Sequence, residues 1–390
     1  MAKIIVTDTS GGSSVPFMRG ILTRSLNEAG LPFEQAYEVA SEIRNRLDDS
    51  PKITNDDLRS FVREYLRENF TDGVVESYDA VGGPTAGVLV RDAHGELHPL
   101  TRTEHLRCLA ACGLGEEQAR KASSLILDKL GTEQRWEISS KELRAMTEEC
   151  LSAHFGPRAA ERYRVWMEFS NSGRPLILLL GGTTGSGKSS VATELAHRLG
   201  IVRTQSTDML REVMRMLIPP RLLPVLHRSS FDAWSVLTAK PEGGDDQEEL
   251  LAAGYLRQAE LLAVPCEAVI QRAVRERVSL ILEGVHVHPT LIESIGDVSD
   301  AVIVPVMLGV LKPEELRSRL SGRLKEAPER DGVAHLSNYE RIWRLQAYLL
   351  SEADKAGISI LINEDKETVT DLVLRTVVDV LAKSARKDAD

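Results

Sequence analysis

Residues 175–190 read Pro175-Leu176-Ile177-Leu178-Leu179-Leu180-Gly181-Gly182-Thr183-Thr184-Gly185-Ser186-Gly187-Lys188-Ser189-Ser190. A short, wholly apolar run ends in glycines and is followed by an amphipathic stretch that stops at Gly200. The apolar run has the length and content of a strand buried on both faces. The segment Gly182 to Ser189 fits the pattern G-x-x-x-x-G-K-[ST], here in its strand-to-helix setting. Its glycines allow the backbone to wrap a phosphate with N–H groups turned inward, and the helix N-terminus adds partial positive charge. Gly182, Thr183, Thr184, Gly185, Ser186, Gly187, Lys188, Ser189 and Ser190 are therefore the expected nucleotide-binding residues. Lys188 is expected to reach the β- and γ-phosphates, and Ser189 to ligate Mg²⁺.

Downstream of this loop, apolar runs alternate with helical patterns: Ile201–Thr204, Leu280–Leu282, Val302–Leu308 and Ile358–Ile362. That alternation predicts an α/β parallel sheet with helices on both faces. In such sheets ligands lie beyond the carboxyl ends of the strands. Asp208 follows the second strand, where a carboxylate can act as general base toward an attacking hydroxyl. Arg211 and Arg215, four residues apart, can fork onto carboxylate or phosphate. Glu283 closes the third strand and suits a metal-water or substrate contact. His286 and His288 alternate along an extended segment and read as a structural or substrate-contacting pair rather than a metal site. Arg317, Arg319, Arg323 and Arg330, then Arg341 and Arg344, form an arginine-rich helical hairpin suited to a lid that closes over phosphates. The substrate set expected from these positions is Asp208, Arg211, Arg215, Glu283, His286, Arg323 and Arg344; the catalytic set is Lys188, Asp208, Arg211 and Glu283.

Upstream lies an internal repeat. Pro16 to Ile43 and Pro99 to Ile126 fall into step, matching Gly30 with Gly113, Ala36 with Ala119, and Ile43 with Ile126. After a two-residue shift Ile53 meets Ile138, Leu66 meets Leu151 and Phe70 meets Phe155. Each copy opens with a short strand pair, has a helix ending at Gly30 or Gly113, and starts a later helix at Thr54 or Ser139 with an acidic residue three positions on. The turn-rich joint Val81-Gly82-Gly83-Pro84 and a second joint at Asn171–Pro175 divide the chain into 1–83, 84–173 and 174–390.

With 390 residues the chain has room for two to four domains at about 100–200 residues each. Its net charge of −10 argues against a general binder of nucleic acid, while a pocket of a few local cations still accommodates a small anion. Cys108, Cys112, Cys150 and Cys266 are too few and too scattered for a disulfide framework and read as free thiols. There is no signal-peptide pattern, and no apolar run approaches the roughly 18 residues of a membrane span. A cytoplasmic protein is expected. The run of Pro241 to Glu249 reads as an exposed acidic loop.

GGTTGSGKSSVATELAHRLGI, STDMLREVMR, LLPVLHRSSFDAW and LEGVHVHP occur in the order found in the 2-phosphoglycerate kinase family, which the chain resembles over nearly its whole length. PFMRGILTRSLNEAGLPFEQAYEVASEI resembles the module that precedes the kinase there, itself similar to the nucleotide-binding ATP-cone. A single such module is usual, whereas this chain has two copies. The resemblance implies a P-loop NTPase kinase domain preceded by two small, mainly helical, ATP-cone-like α+β domains. It implies ATP and Mg²⁺ as cofactors, and phosphorylation of 2-phosphoglycerate to 2,3-bisphosphoglycerate. The partners implied are ATP and a small phosphoglycerate-like anion, with neither nucleic acid nor membrane and with homo-oligomerisation left open. Two other readings share the motifs: a P-loop kinase of another small hydroxylated metabolite, and an ATP-sensing regulator without acceptor chemistry.

Overall fold

A computed structural model describes residues 4–7, 14–17, 19–29, 31–47, 52–71, 73–75, 78, 88–92, 95–132, 137–237, 247–296, 298–326 and 332–387. Gly30, the 81–84 joint, residues 241–246 and Arg330 lie outside these residues, as does the side chain of Arg323; Gln247–Glu249, expected in an acidic loop, instead open a helix.

The repeat is visible in the backbone. In the first copy β1 (Ile5–Thr7) pairs antiparallel with β2 (Ser14–Pro16) and parallel with β3 (Lys52–Thr54). The helices α1 (Arg19–Glu28) and α2 (Phe33–Arg46) lie between β2 and β3 in sequence, and α3 (Asn55–Asn69) follows. In the second copy β4 (Leu89–Arg91) pairs in the same way with β5 (Leu97–Pro99) and β6 (Glu137–Ser139). Helices α4 (Arg102–Ala111) and α5 (Glu116–Thr132) precede β6, and α6 (Ser140–Phe155) and α7 (Pro157–Asn171) follow it. The N-cap read at Thr54 is present: its hydroxyl accepts from Asp57 N at 3.1 Å and donates to the Asp57 carboxylate at 2.7 Å. Gly113 takes the positive φ of +74° expected where a helix stops.

The main sheet has five parallel strands in the order β11-β10-β7-β9-β8. They are β7 (Leu176–Gly181), β8 (Arg203–Ser206), β9 (Leu280–Gly284), β10 (Val302–Gly309) and β11 (Ser359–Ile362). Helices α8 (Lys188–Leu199), α9 (Thr207–Leu217), α10 (Gln247–Arg275), α11 (Pro289–Ser294), α12 (Pro313–Glu326), α13 (Gly332–Ser337), α14 (Tyr339–Lys355) and α15 (Lys366–Lys387) complete it. The second strand begins two residues later than its apolar content predicts. Gly200 caps α8 in the left-handed region, and Ile201 N–H is spent on Ala196 O at 2.9 Å. Pairing therefore starts only at Arg203, and Val202 is left exposed.

Central β7 is buried at every position and alternates between two cores. Ile177 and Leu179 face α10 and α11 through Cys266, Ile270 and Leu291. Leu176, Leu178 and Leu180 face α8 and α15, and the same core takes in Leu109, Cys112, Leu151, Tyr163 and Trp166 from helices before residue 174.

By contacts the chain forms two compact units, residues 1–102 with 127–140, and residues 103–126 with 141–390. Segment 84–173 is thus divided, with its strands β4, β5 and β6 in the first unit and most of its helical residues in the core of the main sheet. The first unit has a core of its own around Leu26, Ala36, Ile43, Val62 and Leu66.

Because Leu151 is fully buried in this shared core, Leu151→Ala should cost about 2–5 kcal/mol. Urea unfolding followed through loss of catalytic activity measures this. A chain begun at residue 174 loses the part of this core supplied by Leu109, Leu151, Tyr163 and Trp166 and should fail to give a cooperative melt.

A P-loop site at the carboxyl edge of the sheet

The register of the sheet brings its chemistry to one edge. Leu180 lies opposite Glu283, Gly181 opposite Gly284, and Ser206 opposite Glu283. The loop after β7, the start of α9 and the end of β9 therefore leave the sheet at one level, beside the central strand.

The phosphate loop turns through a Ser186 N–H to Thr183 O bond of 3.2 Å and enters α8 at Gly187, where φ is +87°. Only glycine suits that position, because a Cβ would also run into the Asn363 side-chain amide. Lys188 is largely buried, and its Nζ donates to Thr183 O at 2.7 Å. The hydroxyls of Thr183 and Ser186 are buried with no hydrogen-bond partner among the described residues. Unsatisfied buried hydroxyls are costly in a finished interior, and at a phosphate loop they are groups that a phosphate oxygen would satisfy. Ser189 Oγ donates to Glu283 Oε1 at 3.1 Å. A hydroxyl and a carboxylate side by side at the loop are a hard-oxygen pair that fits Mg²⁺.

Beside the loop a groove of about 480 Å³ runs past Gly185, Gly187 and Ser190 to Arg319, Glu364 and Lys366. Its floor is Asn363, whose Nδ2 donates to Ser186 O at 2.8 Å while its backbone N–H donates to Gly309 O at 2.9 Å. Arg319 Nη2 donates to the carbonyls of Asn363 at 2.6 Å and Glu364 at 3.2 Å. Arg319 thus holds the groove wall, and the position of Asn363 at a strand end is the signal that sequence reading passed over.

On the other side of Glu283, Ser206 caps α9 by accepting from Asp208 N at 3.2 Å. This cap leaves the Asp208 carboxylate exposed, 3.7 Å from Arg211 Nε. Arg211 Nη1 donates to Arg228 O at 2.7 Å. Arg215 pairs with Glu212 at 2.8 Å rather than joining Asp208. Of the expected lid arginines, Arg317 lies over the Tyr339 ring, Arg341 reaches Asp232 at 3.3 Å, and Arg344 donates to Gln247 at 3.0 Å.

The expectation that His286 contacts substrate is corrected by its surroundings. The ring is buried, Nδ1 lies 3.2 Å from Thr207 Oγ1, and Nε2 lies 2.8 Å from Gln258 Oε1. Both nitrogens are used inside the protein, and burial pushes the pKa down to about 3. His288 is buried as well, stacks on Tyr348 and hydrogen-bonds Thr290 at 3.0 Å. Cys108, Cys112, Cys150 and Cys266 are thiols rather than disulfides, as expected. Among the described residues no helix is long and apolar enough to cross a membrane.

A parallel sheet with a phosphate loop after its central strand β7 and an acid–arginine pair after the edge strand β8, with β9 between them, defines a P-loop small-molecule kinase. No protein-family profile matches the chain. It is 32% identical over 373 residues to the 2-phosphoglycerate kinase of Thermococcus kodakarensis, covering 95% of this chain and 96% of that protein. It is 31% identical over 300 residues to that of Pyrococcus furiosus, covering 77% and 96%, and 30% identical over 317 residues to that of Methanopyrus kandleri, covering 81% and 94%. The chain belongs to the 2-phosphoglycerate kinase family. Among solved structures, shikimate kinase from Acinetobacter baumannii aligns at 14% identity with a TM-score of 0.31, covering 55% of this chain and 97% of that one.

Two buried histidines give the fold an acid limit. Burial lowers His286 to about 3 and His105 to about 4, both from 6.5. The unfolded chain therefore binds more protons than the folded one between these values, so stability rises with pH there and is lost as pH falls below about 6.5. Urea midpoints at pH 7.5, 6 and 5 should decrease in that order. His105→Gln should flatten the slope.

Proposed function

We propose that the enzyme transfers the γ-phosphoryl group of ATP to the free hydroxyl of 2-phosphoglycerate, giving 2,3-bisphosphoglycerate and ADP. The observation that carries this reading is the placement of Asp208 and Arg211 across Glu283 from the phosphate loop. A nucleotide-sensing protein has no need of such an acceptor-side pair. Family membership supports the choice of acceptor.

In this reading the phosphate tail lies in the loop Gly182–Ser189, the N–H groups and Lys188 take up its charge, and the rest of the nucleotide follows the groove past Ser190 and Arg319. Ser189 and Glu283 would hold Mg²⁺, which when bound neutralises phosphate charge. Asp208 orients the acceptor hydroxyl and takes its proton. The bond from that oxygen to γ-phosphorus forms as the bond to the bridging oxygen of ADP breaks. Arg211 holds an anionic group of the acceptor, with Arg215, Arg323 and Arg344 as outer contacts during closure. Most of the rate gain comes from alignment and preorganised charge.

The test is steady-state kinetics of ADP release with 2-phosphoglycerate as acceptor. Asp208→Asn should lower kcat about 10²–10⁴-fold while leaving nucleotide affinity in place. Lys188→Ala should abolish turnover with the fold intact by circular dichroism. Full activity in either variant contradicts the site.

The segments 1–83 and 84–173 are proposed as cone-like modules that report nucleotide level to the catalytic part 174–390. Support comes from how the second module's helices meet the catalytic core. Arg107 of α4 lies against Gly200 at the far end of α8, and the α4–α5 turn at Gly113 packs on Arg375 of α15. Both α8 and α15 begin at the nucleotide groove, with Lys188 and Lys366. Calorimetric titration of ATP or dATP into full-length Lys188→Ala should retain a binding event. Its absence removes the nucleotide-sensing role.

A further inference from the structure

A branched chain of buried hydrogen bonds lies behind the acceptor-side pair. The side-chain amide of Gln258 on α10 is fully buried, and its Nε2 donates to Val225 O at 2.6 Å and to Arg228 O at 3.0 Å. Both partners are carbonyls that can only accept, so the orientation of the amide is fixed and Oε1 faces His286. His286 Nε2, 2.8 Å from that oxygen, must then carry the proton. His286 Nδ1 is left with a lone pair and accepts from the hydroxyl of buried Thr207, 3.2 Å away. Thr207 is the residue immediately before Asp208. Arg228 O, held by Gln258, also receives Arg211 Nη1 at 2.7 Å. From Gln258 one branch thus leads through His286 and Thr207 to Asp208, and the other through Arg228 O to Arg211. The branches meet at the Asp208–Arg211 pair.

The packing leaves this network little freedom. Gly284, with φ of +154°, has no room for a Cβ beside the Thr207 hydroxyl, so Thr207 is seated directly on the β9 backbone. Tyr255, one helical turn before Gln258, donates to Val285 O at 2.8 Å and stacks on the His286 ring at 6.3 Å between centroids. A neutral histidine suits the arrangement, and burial keeps it neutral near pH 7.

We propose that Gln258 and His286 are positioning residues of the kinase reaction, which set Asp208 and Arg211 in register for the acceptor without touching it. This rests on reading those two residues as the acceptor site. No sequence motif points to Gln258, which lies in the middle of a long helix and whose two carbonyl partners belong to the loop around Pro224–His227.

The test uses full-length protein. Gln258→Leu, which removes both branches, should lower kcat and raise the acceptor KM at least tenfold with ATP KM changed less than twofold. Gln258→Glu keeps an acceptor for His286 but cannot donate to Arg228 O, and should show the same split at smaller size. ATP and acceptor KM rising together, or neither moving, overturns the proposal. Independently of folding in the Gln258 variants, ¹⁵N-histidine NMR of the wild-type protein at pH 7 should find His286 as the neutral Nε2–H tautomer, with its signal identified by its loss in His286→Gln. An Nδ1–H or doubly protonated ring overturns the network of bonds whatever the kinetics. If wild-type protein forms no product with 2-phosphoglycerate yet shows the Nε2–H tautomer, the choice of acceptor fails and the network is upheld.

Discussion

The side-chain amide of Asn363, donating to Ser186 O, is the contact on which the site depends. It joins the loop after β7 to the loop after β11, across the intervening β10, and Asn363 N–H on Gly309 O anchors it to that strand. The glycine at 187 exists to admit this amide, since any side chain there would displace it. A buried amide that lost its partner would cost about 1–3 kcal/mol, so the phosphate loop and the groove wall are expected to hold their shapes together. Arg319 extends the tie to α12, which links the groove to the arginine-rich helices.

Opposite the loop, the same economy of backbone and side chain governs the edge that carries Asp208. Ser206 caps the helix by accepting from Asp208 N–H, and the Asp208 carboxylate is exposed. Glu283 stands between the two halves of the site, hydrogen-bonded to Ser189 on the loop side and paired in register with Ser206 on the other. A chain of net charge −10 therefore gathers Lys188, Arg211 and Arg319 at one sheet edge, where local cations count for more than the overall field.

Much of this was legible from residue order. The run Leu176–Leu180 between a joint and the glycines could only be a buried strand, and the phosphate loop, Asp208 and Glu283 followed from their positions after strands. The repeat was legible as well, because Gly113 and Thr54 mark helix ends through backbone chemistry that varies little with surroundings. What was not legible depends on contacts remote in sequence. His286 looked like a substrate ligand because its partners, Thr207 and Gln258, come from other elements. Asn363 looked like an ordinary strand end because its partner lies 177 residues away. The glycine-containing joint near residue 174 reads as a domain border, yet apolar faces of the helices before it complete the core beneath β7. Local composition carries no record of which apolar face covers which.

The central claim is that the edge formed by the phosphate loop, Glu283 and the Asp208–Arg211 pair moves phosphate from ATP onto a small anionic hydroxy acid. ³¹P NMR of the purified chain with ATP, Mg²⁺ and 2-phosphoglycerate tests it most directly. The account predicts ADP together with a product bearing two phosphate ester resonances in equal amount. ADP with inorganic phosphate alone, or nucleotide that remains unchanged, would contradict it.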